Sequence, residues 1–316
     1  MKITNLECLE FGVDDVEGAI QFSTDYGLQR VPSSPAAARM EAQDGTAIEI
    51  SHRSAAHLAP AFDNPNTLRK TTYGVADAAT LAAIAAELGK DRSVRTLPDG
   101  AIEAQDDMGF TLGFQVTRRK ALNLQPERVN AHGSALQRPA NVIAVDEDVR
   151  IAPRTLSHVV YFVPDAAKAE AFYVKRLGFF MVDRYLNVGP FLRPAGMTDH
   201  HALFLIQTPP HMKGVEHFTF HFGNVNEVLQ AGTRMVDKGY RSFWGPGRHK
   251  LGSNWFWYFN SPFSCHMELD ADMDQHDERW KPRELKLTED MAQLFLFEPR
   301  PRWMPGPGPA EGPKHD

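Results

Sequence analysis

The chain has 316 residues, 42% of them hydrophobic, and a formal net charge of −6. That length supports two domains with proper cores, and the negative balance argues against general nucleic-acid binding. With Cys8 and Cys265 as its two cysteines, and no apolar run that reads as a signal peptide or membrane span, a cytoplasmic protein without disulfides is expected.

The opening stretch ITNLECLEFGVDDVEGAIQFSTDYGLQRV reads as a strand, an amphipathic helix and a glycine turn into further strands. A second helix is predicted over Ala78–Leu88, in ADAATLAAIAAELGK, with Gly89 as its C-terminal cap. From about Arg118 to Pro153 a polar stretch with Asn123, Gln125, Asn130 and Gly133 reads as a linker. RTLSHVVYFVPDAAKAEAFYVKRLGFFMV then repeats the opening pattern. Leu6 aligns with Leu156, Asp15 with Asp165, Ala19 with Ala169, Phe22 with Phe172, and Cys8 with His158.

The second half is rich in histidines on strand-like runs. His158 lies in RTLSHVVYFVPD, His200 and His201 in TDHHALFLI, and His217 and His221 in GVEHFTFHF. A helix is predicted over residues 225–238. Gly245-Pro246-Gly247 then marks a turn, and GRHKLGSNWFWYFNSPFSCHME follows. Alternation puts Asn254, Phe256 and Tyr258 on one strand face and His266 with Glu268 on one face of the next. Cys265 falls on the opposite face and reads as a small buried hydrophobe. A carboxylate on a half-apolar strand is costly to bury unless it is paired or bound to a metal. A lone strand histidine is more often a packing residue, so it is the combination that points to a metal. From Lys281 the chain is proline-rich and reads as a tail whose last dozen residues are disordered.

The segment from Gly247 to Glu268 resembles the signature of the type I extradiol ring-cleaving dioxygenases, within the vicinal oxygen chelate superfamily. Gly247, His249, Tyr258, Pro262 and Glu268 fit its order, while Trp257, Ser261 and Ser264 depart from the usual residues. The resemblance implies an α+β fold of two vicinal-oxygen-chelate-type domains, each of two βαβββ modules forming an incomplete barrel, followed by the proline-rich tail. The expected boundaries are 1–120 for a domain without a metal site, 121–153 for the linker, 154–280 for the catalytic domain and 281–316 for a tail that is a candidate lid.

The resemblance also implies His158, His217 and Glu268 as ligands of Fe(II), with Mn(II) as an alternative and O₂ as co-substrate. Two histidines and one carboxylate on one face leave open positions for substrate and oxygen. His221 and His266 share faces with assigned ligands and become rivals if a bulge shifts the register. His249 and Tyr258 are expected near the substrate hydroxyls. Alternation lets only one of His200 and His201 face the metal, and the resemblance favours His201 as the acid–base group, since the second histidine of such a pair is the functional one in related sequences. In the first domain Cys8 stands in the place of His158, Arg69 in that of His217 and Phe114 in that of Glu268.

The expected partner is a small aromatic diol, with neither nucleic acid nor membrane, and a homo-oligomer is expected. Phe191, Leu192, Phe204, Trp244, Phe256 and Trp303 are candidate pocket walls and favour an alkyl-, aryl- or fused-ring catechol. Arg193, Arg241, Arg248 and Arg283 are available for a carboxylated one. The competing readings are a non-redox metal enzyme of the superfamily, such as a glyoxalase-like isomerase or a transferase, and a metal-free protein that binds an aromatic ligand.

Overall fold

The computed structural model describes residues 1–33, 36–146, 148–288 and 292–297. Four βαβββ modules follow one another along the chain. The first holds β1 (Ile3–Val13), α1 (Val16–Tyr26), β2 (Gln29–Val31), β3 (Ala38–Glu41) and β4 (Ala47–His52). The second holds β5 (Leu68–Val75), α2 (Ala78–Leu88), β6 (Arg95–Thr96), β7 (Ile102–Gln105) and β8 (Thr111–Val116). The third comprises β9 (Thr155–Val163), α3 (Ala166–Leu177), β10 (Phe180–Leu186), β11 (Gly189–Arg193) and β12 (Leu203–Gln207). The fourth comprises β13 (Gly214–His221), α4 (Val225–Asp237), β14 (Ser242–His249), β15 (Trp255–Asn260) and β16 (His266–Ala271). Two more strands, β17 (Arg283–Lys286) and β18 (Gln293–Leu296), close the described chain. No helix among the described residues is long and apolar enough to cross a membrane.

One rule starts all four helices. Asp15, Asp77, Asp165 and Asn224 each sit just before a helix and accept a hydrogen bond from the backbone N–H three residues on, at 2.7–2.9 Å. Each thereby satisfies one of the N–H groups that a helix start leaves without a partner. Gly27 and Gly178 end α1 and α3 in the left-handed region, at φ 118° and 73°, where a side chain would be strained. Gly89 differs: it closes α2 in a right-handed conformation, at φ −63°.

Each pair of modules joins through its first strands to make one open sheet. The orders are β2-β3-β4-β1-β5-β8-β7-β6 and β17-β10-β11-β12-β9-β13-β16-β15-β14-β18. Residues 117–154 cross between the sheets with no helix or strand among the described ones. Phe11 of the first sheet packs on Phe218 and Phe263 of the second, with ring centroids 5.0 and 4.7 Å apart. Tyr26 O–H donates to the backbone carbonyl of Glu268 at 2.5 Å, and Tyr173 O–H donates to Asp106 at 3.0 Å. Removing a buried aromatic such as Phe11 costs about 3–5 kcal/mol, so the two halves stabilise one another through these contacts.

The two sheets share their irregularities. Between β9 and β13 the pairs Val215–Tyr161 and His217–Val160 leave Glu216 as an extra residue. Between β1 and β5 the pairs Leu68–Phe11 and Lys70–Glu10 leave Arg69 as the extra residue. Lys70, not Arg69, therefore occupies the place of His217. By the same register Gly113 pairs with Thr72 as Glu268 pairs with Thr219, so Gly113, not Phe114, stands where Glu268 stands. The loop lengths between modules decide these correspondences, since the same one-residue bulge occurs in both sheets. Lys70 is held there by Glu10 at 2.5 Å and Glu103 at 2.8 Å.

Candidate metal centre

His158 on β9, His217 on β13 and Glu268 on β16 meet because these three strands are neighbours and their side chains point to one face. They are buried, and their ligand atoms lie within 4.8 Å of one another. His158 Nε2 is 3.3 Å from His217 Nε2 and 3.1 Å from Glu268 Oε2, and His217 Nε2 is 3.5 Å from the same oxygen. Ligands at right angles around an ion at roughly 2.1 Å stand about 3.0 Å apart, and tetrahedral ones a little farther. The triangle fits one transition-metal ion. Two neutral nitrogens and a carboxylate crowded this closely also place lone pairs against one another, which a cation relieves.

The surrounding groups hold these ligands. His158 Nδ1 lies 2.9 Å from Ser157 Oγ, a hydroxyl able to accept its N–H when Nε2 turns a lone pair to a metal. His217 Nδ1 is bonded to a Glu216 carboxylate oxygen, and the other oxygen of Glu216 accepts from His266 Nδ1 at 2.8 Å. Burial pushes the Glu216 carboxyl upward, and the His217 and His266 rings more than reverse this, leaving it at about 2. Burial also disfavours a charged His217. Glu216, then Glu268 and Asp270, outweigh that, so its net shift is upward. Thr219 Oγ1 donates to Glu268 Oε2 at 2.5 Å.

Both rival histidines are engaged elsewhere. His221 is bonded to Asp270 at 2.6 Å and lies 3.5 Å from Asp199. His266 stacks on Phe243, with centroids 3.7 Å apart, besides binding Glu216. Glu216 itself escapes sequence reasoning: strict alternation sends it to the face opposite His217, and the bulge returns it to the same side.

A cavity of about 300 Å³ opens over the triangle. His158, His201, His217, His249 and Tyr258 stand at its polar end. Its walls are apolar, formed by Val160, Phe191, Phe204, Ile206, Trp244 and Leu251 among others. Leu192 does not line it: alternation along β11 turns Leu192 into the core while Phe191 faces the cavity. Phe256 is also outside the lining, stacked beneath the His249 ring at 4.1 Å. Trp303 and residues 298–316 lie outside the described residues. Leu287 and Ala292, which flank the last two strands, contribute to the mouth.

No Lys or Arg among the described residues lines this cavity. Arg193 donates to the Met197 carbonyl, Arg248 pairs with Asp272 and Arg283 with Asp183, while Arg241 is exposed. Cys265 is half-buried and precedes β16 rather than lying on it.

His201 faces the cavity, its ring 4.2 Å from that of His158, while His200 lies behind it and is bonded to Asp183. Burial, then the neighbouring His158, drives the His201 pKa well down, so the ring is neutral at pH 7. His249 Nδ1 is 3.1 Å from the Ala292 carbonyl, so that nitrogen carries the proton, and Nε2 accepts from Tyr258 O–H at 3.1 Å. Burial, then the Glu268 charge, raises the Tyr258 pKa well above its ordinary value, so the phenol remains a donor.

A family model described as the Glyoxalase/Bleomycin resistance protein/Dioxygenase superfamily matches residues 155–269. That match covers the second sheet from β9 to β16, and the two open sheets of βαβββ modules have the vicinal oxygen chelate fold. Metapyrocatechase 2 of Cupriavidus necator is 39% identical over 125 residues, a stretch that covers 40% of this chain and 38% of that protein. The match thus spans well under half of the curated relative. Among solved structures, a Mn(II)-bound glyoxalase from Novosphingobium aromaticivorans superimposes with a TM-score of 0.74 at 18% identity, covering 95% of each chain. The 2,3-dioxygenase LapB from Pseudomonas sp. KL28 gives 0.72 at 19% identity, over 90% of this chain and 98% of that one.

Proposed function

We propose that this chain is an extradiol ring-cleaving dioxygenase, which inserts both atoms of O₂ into a hydrophobic catechol beside its diol to give a muconic semialdehyde-type product. One observation carries the reading: the buried triangle of His158, His217 and Glu268 adjoins an apolar cavity that His158 and His217 line together with His201, His249 and Tyr258. The 39% identity to a metapyrocatechase over 125 residues supports it. When bound, Fe(II) supplies Lewis acidity toward the diol and the one-electron chemistry of O₂, which side chains lack. The same donor set suits Mn(II).

The side chains divide the remaining work. Tyr258 keeps its proton and donates to the diol oxygen that becomes anionic. His249, fixed by the Ala292 carbonyl, places Nε2 beside that hydroxyl. His201 is a neutral, buried imidazole able to take a proton from the diol and return it later to an anionic oxygen. The aromatic and aliphatic walls exclude water and hold an uncharged ring in place. A carboxylate on the substrate would meet no cationic side chain among the described residues, and burying it unpaired costs several kcal/mol.

Substitution of the triangle tests the reading. His158→Ala, His217→Ala and Glu268→Ala are each expected to lose iron and catechol cleavage together, while far-UV circular dichroism remains unchanged. Full iron content in any one of them contradicts its assignment as a ligand.

A further inference from the structure

We propose that Asp183 and His200 are positioning residues that fix the tautomer of His201, protonated on Nδ1, so that its Nε2 meets the cavity as a lone pair. The inference rests on the reading of His201 as the group that takes the first proton. It goes beyond that reading by saying which residues make His201 an acceptor at the outset rather than a donor.

The three groups form a continuous line. Asp183 Oδ2 is 2.9 Å from His200 Nε2, and His200 Nδ1 is 3.0 Å from His201 Nδ1. All three side chains are buried, so each ring N–H must find its acceptor within the protein. Asp183 is saturated with donors. Arg283 gives it a backbone N–H at 2.8 Å to Oδ1, and its guanidinium reaches Oδ2 through Nε at 3.0 Å and Nη2 at 2.5 Å. A carboxylate held by a guanidinium remains ionised and only accepts. The proton on the Asp183–His200 bond therefore sits on His200 Nε2. In a neutral imidazole that leaves His200 Nδ1 as a lone pair. The short contact to His201 Nδ1 then requires His201 to donate there. One neutral ring carries one N–H, so His201 Nε2 has none.

Two features of the fold hold this line in place. Arg283 lies on β17, whose first pair with β10 is Asp183 with Arg283. The strand that follows the catalytic module thus sets the charge at the far end of the line. Gly252 packs against the other side of His200: a Cβ there would come within 3.2 Å of His200 Nδ1, and its φ of +82° also disfavours any side chain.

Asp183→Asn made together with Arg283→Leu separates a positioning role from mere packing. The backbone N–H of residue 283, 2.8 Å from Oδ1, holds the Asn carbonyl oxygen in that place, and with the guanidinium gone the amide NH₂ stands where Oδ2 was and donates to His200 Nε2. The His200 proton moves to Nδ1, His200 then donates to His201, and the His201 proton shifts to Nε2. Asp183→Asn alone keeps its oxygen toward the guanidinium and leaves the line as it is.

The test is ¹⁵N NMR of the full-length metal-free protein labelled at histidine, assigned with His200→Gln and His201→Gln, beside kinetics of the Fe(II)-loaded enzyme. The expected result is a protonated Nδ1 and an unprotonated Nε2 for His201 in the wild type, reversed in the Asp183→Asn/Arg283→Leu double variant. That variant should keep its iron, lose at least 10-fold in kcat, and change KM by less than about 3-fold. A protonated Nε2 on His201 in the wild type overturns the proposal, and so does wild-type kcat in the double variant. Because the tautomer is read without metal or substrate, it is independent of whether catechol is cleaved. A protein with the expected tautomers and no catechol cleavage would refute the proposed activity and leave the Asp183–His200–His201 line standing.

Discussion

Replacing Glu216 tests the construction of the metal centre through a residue that is not itself a ligand. Glu216 is the extra residue of the β13 bulge and spans two rings, His217 Nδ1 on one oxygen and His266 Nδ1 on the other. Its charge makes His217 a stronger donor, and its position fixes which nitrogen faces the centre. Loss of such an outer partner typically weakens metal binding by about 10- to 100-fold, or roughly 1.4–2.8 kcal/mol. Glu216→Gln retains one carbonyl oxygen that can serve His217 but not both rings, and should fall near 10-fold. Glu216→Ala leaves both Nδ1 groups without a partner and should approach 100-fold. Competition of the wild type and both variants against a graded chelator, read as bound metal, measures the effect. Wild-type affinity in both variants would refute the reasoning, since Glu216 would then support neither the charge nor the orientation of His217.

Other outcomes follow from the same geometry. His201→Ala should retain iron while kcat falls by roughly 10²–10³, the range of a lost general acid–base group, as measured by steady-state oxygen uptake. Tyr258→Phe removes one donor and should cost about 1–1.5 kcal/mol in kcat/KM, near 10-fold, in the same assay. Because no Lys or Arg among the described residues lines the cavity, kcat/KM for 2,3-dihydroxybiphenyl should exceed that for 3,4-dihydroxybenzoate by about 100-fold or more; equal values would contradict the apolar assignment. Asp106, far from the centre, is raised by burial from 3.8 to about 6, against the pull of the Phe110 and Met108 N–H groups and Tyr173 O–H. Between those two values the folded chain holds a proton that the unfolded chain has released, so stability falls as pH rises through the window and levels off above it. The shift from 3.8 to about 6 corresponds to on the order of 3 kcal/mol. Urea unfolding from pH 4 to 7 should show the wild type losing that much relative to Asp106→Asn, and a constant difference would contradict it.

Much of this arrangement is legible in the sequence because it depends on short-range rules. Asp15 and Asp165 mark the same helix start in two modules, and Gly27 and Gly178 the same exit. Two-residue alternation alone puts Tyr258 on the side of Asn254, and both do line the cavity. Alternation fails at bulges, which leave no mark in residue type. One bulge brings Glu216 round beside His217. The Arg69 and Phe114 correspondences miss by one residue because loop lengths between the modules carry no signal in residue type. Leu192 and Phe191 are equally apolar, and only the register decides which of them reaches the cavity. Strands β17 and β18 are hidden for a different reason. They join sheet edges through backbone hydrogen bonds, and their sequences, RELK and QLFL, carry no core-facing pattern long enough to read. The Asp183–His200–His201 line joins a residue of one strand to two of a loop, and Arg283 reaches it only because β17 pairs with β10.

The most direct measurement is made on protein reconstituted with Fe(II) without oxygen, then mixed with 2,3-dihydroxybiphenyl in aerated buffer while oxygen and visible absorbance are recorded together. The account predicts iron-dependent oxygen consumption, one O₂ per diol, with a yellow ring-opened product, and neither signal from His217→Ala. Iron bound at His158, His217 and Glu268 with no oxygen uptake on any uncharged catechol would contradict it, and would make this centre that of a non-redox metal enzyme.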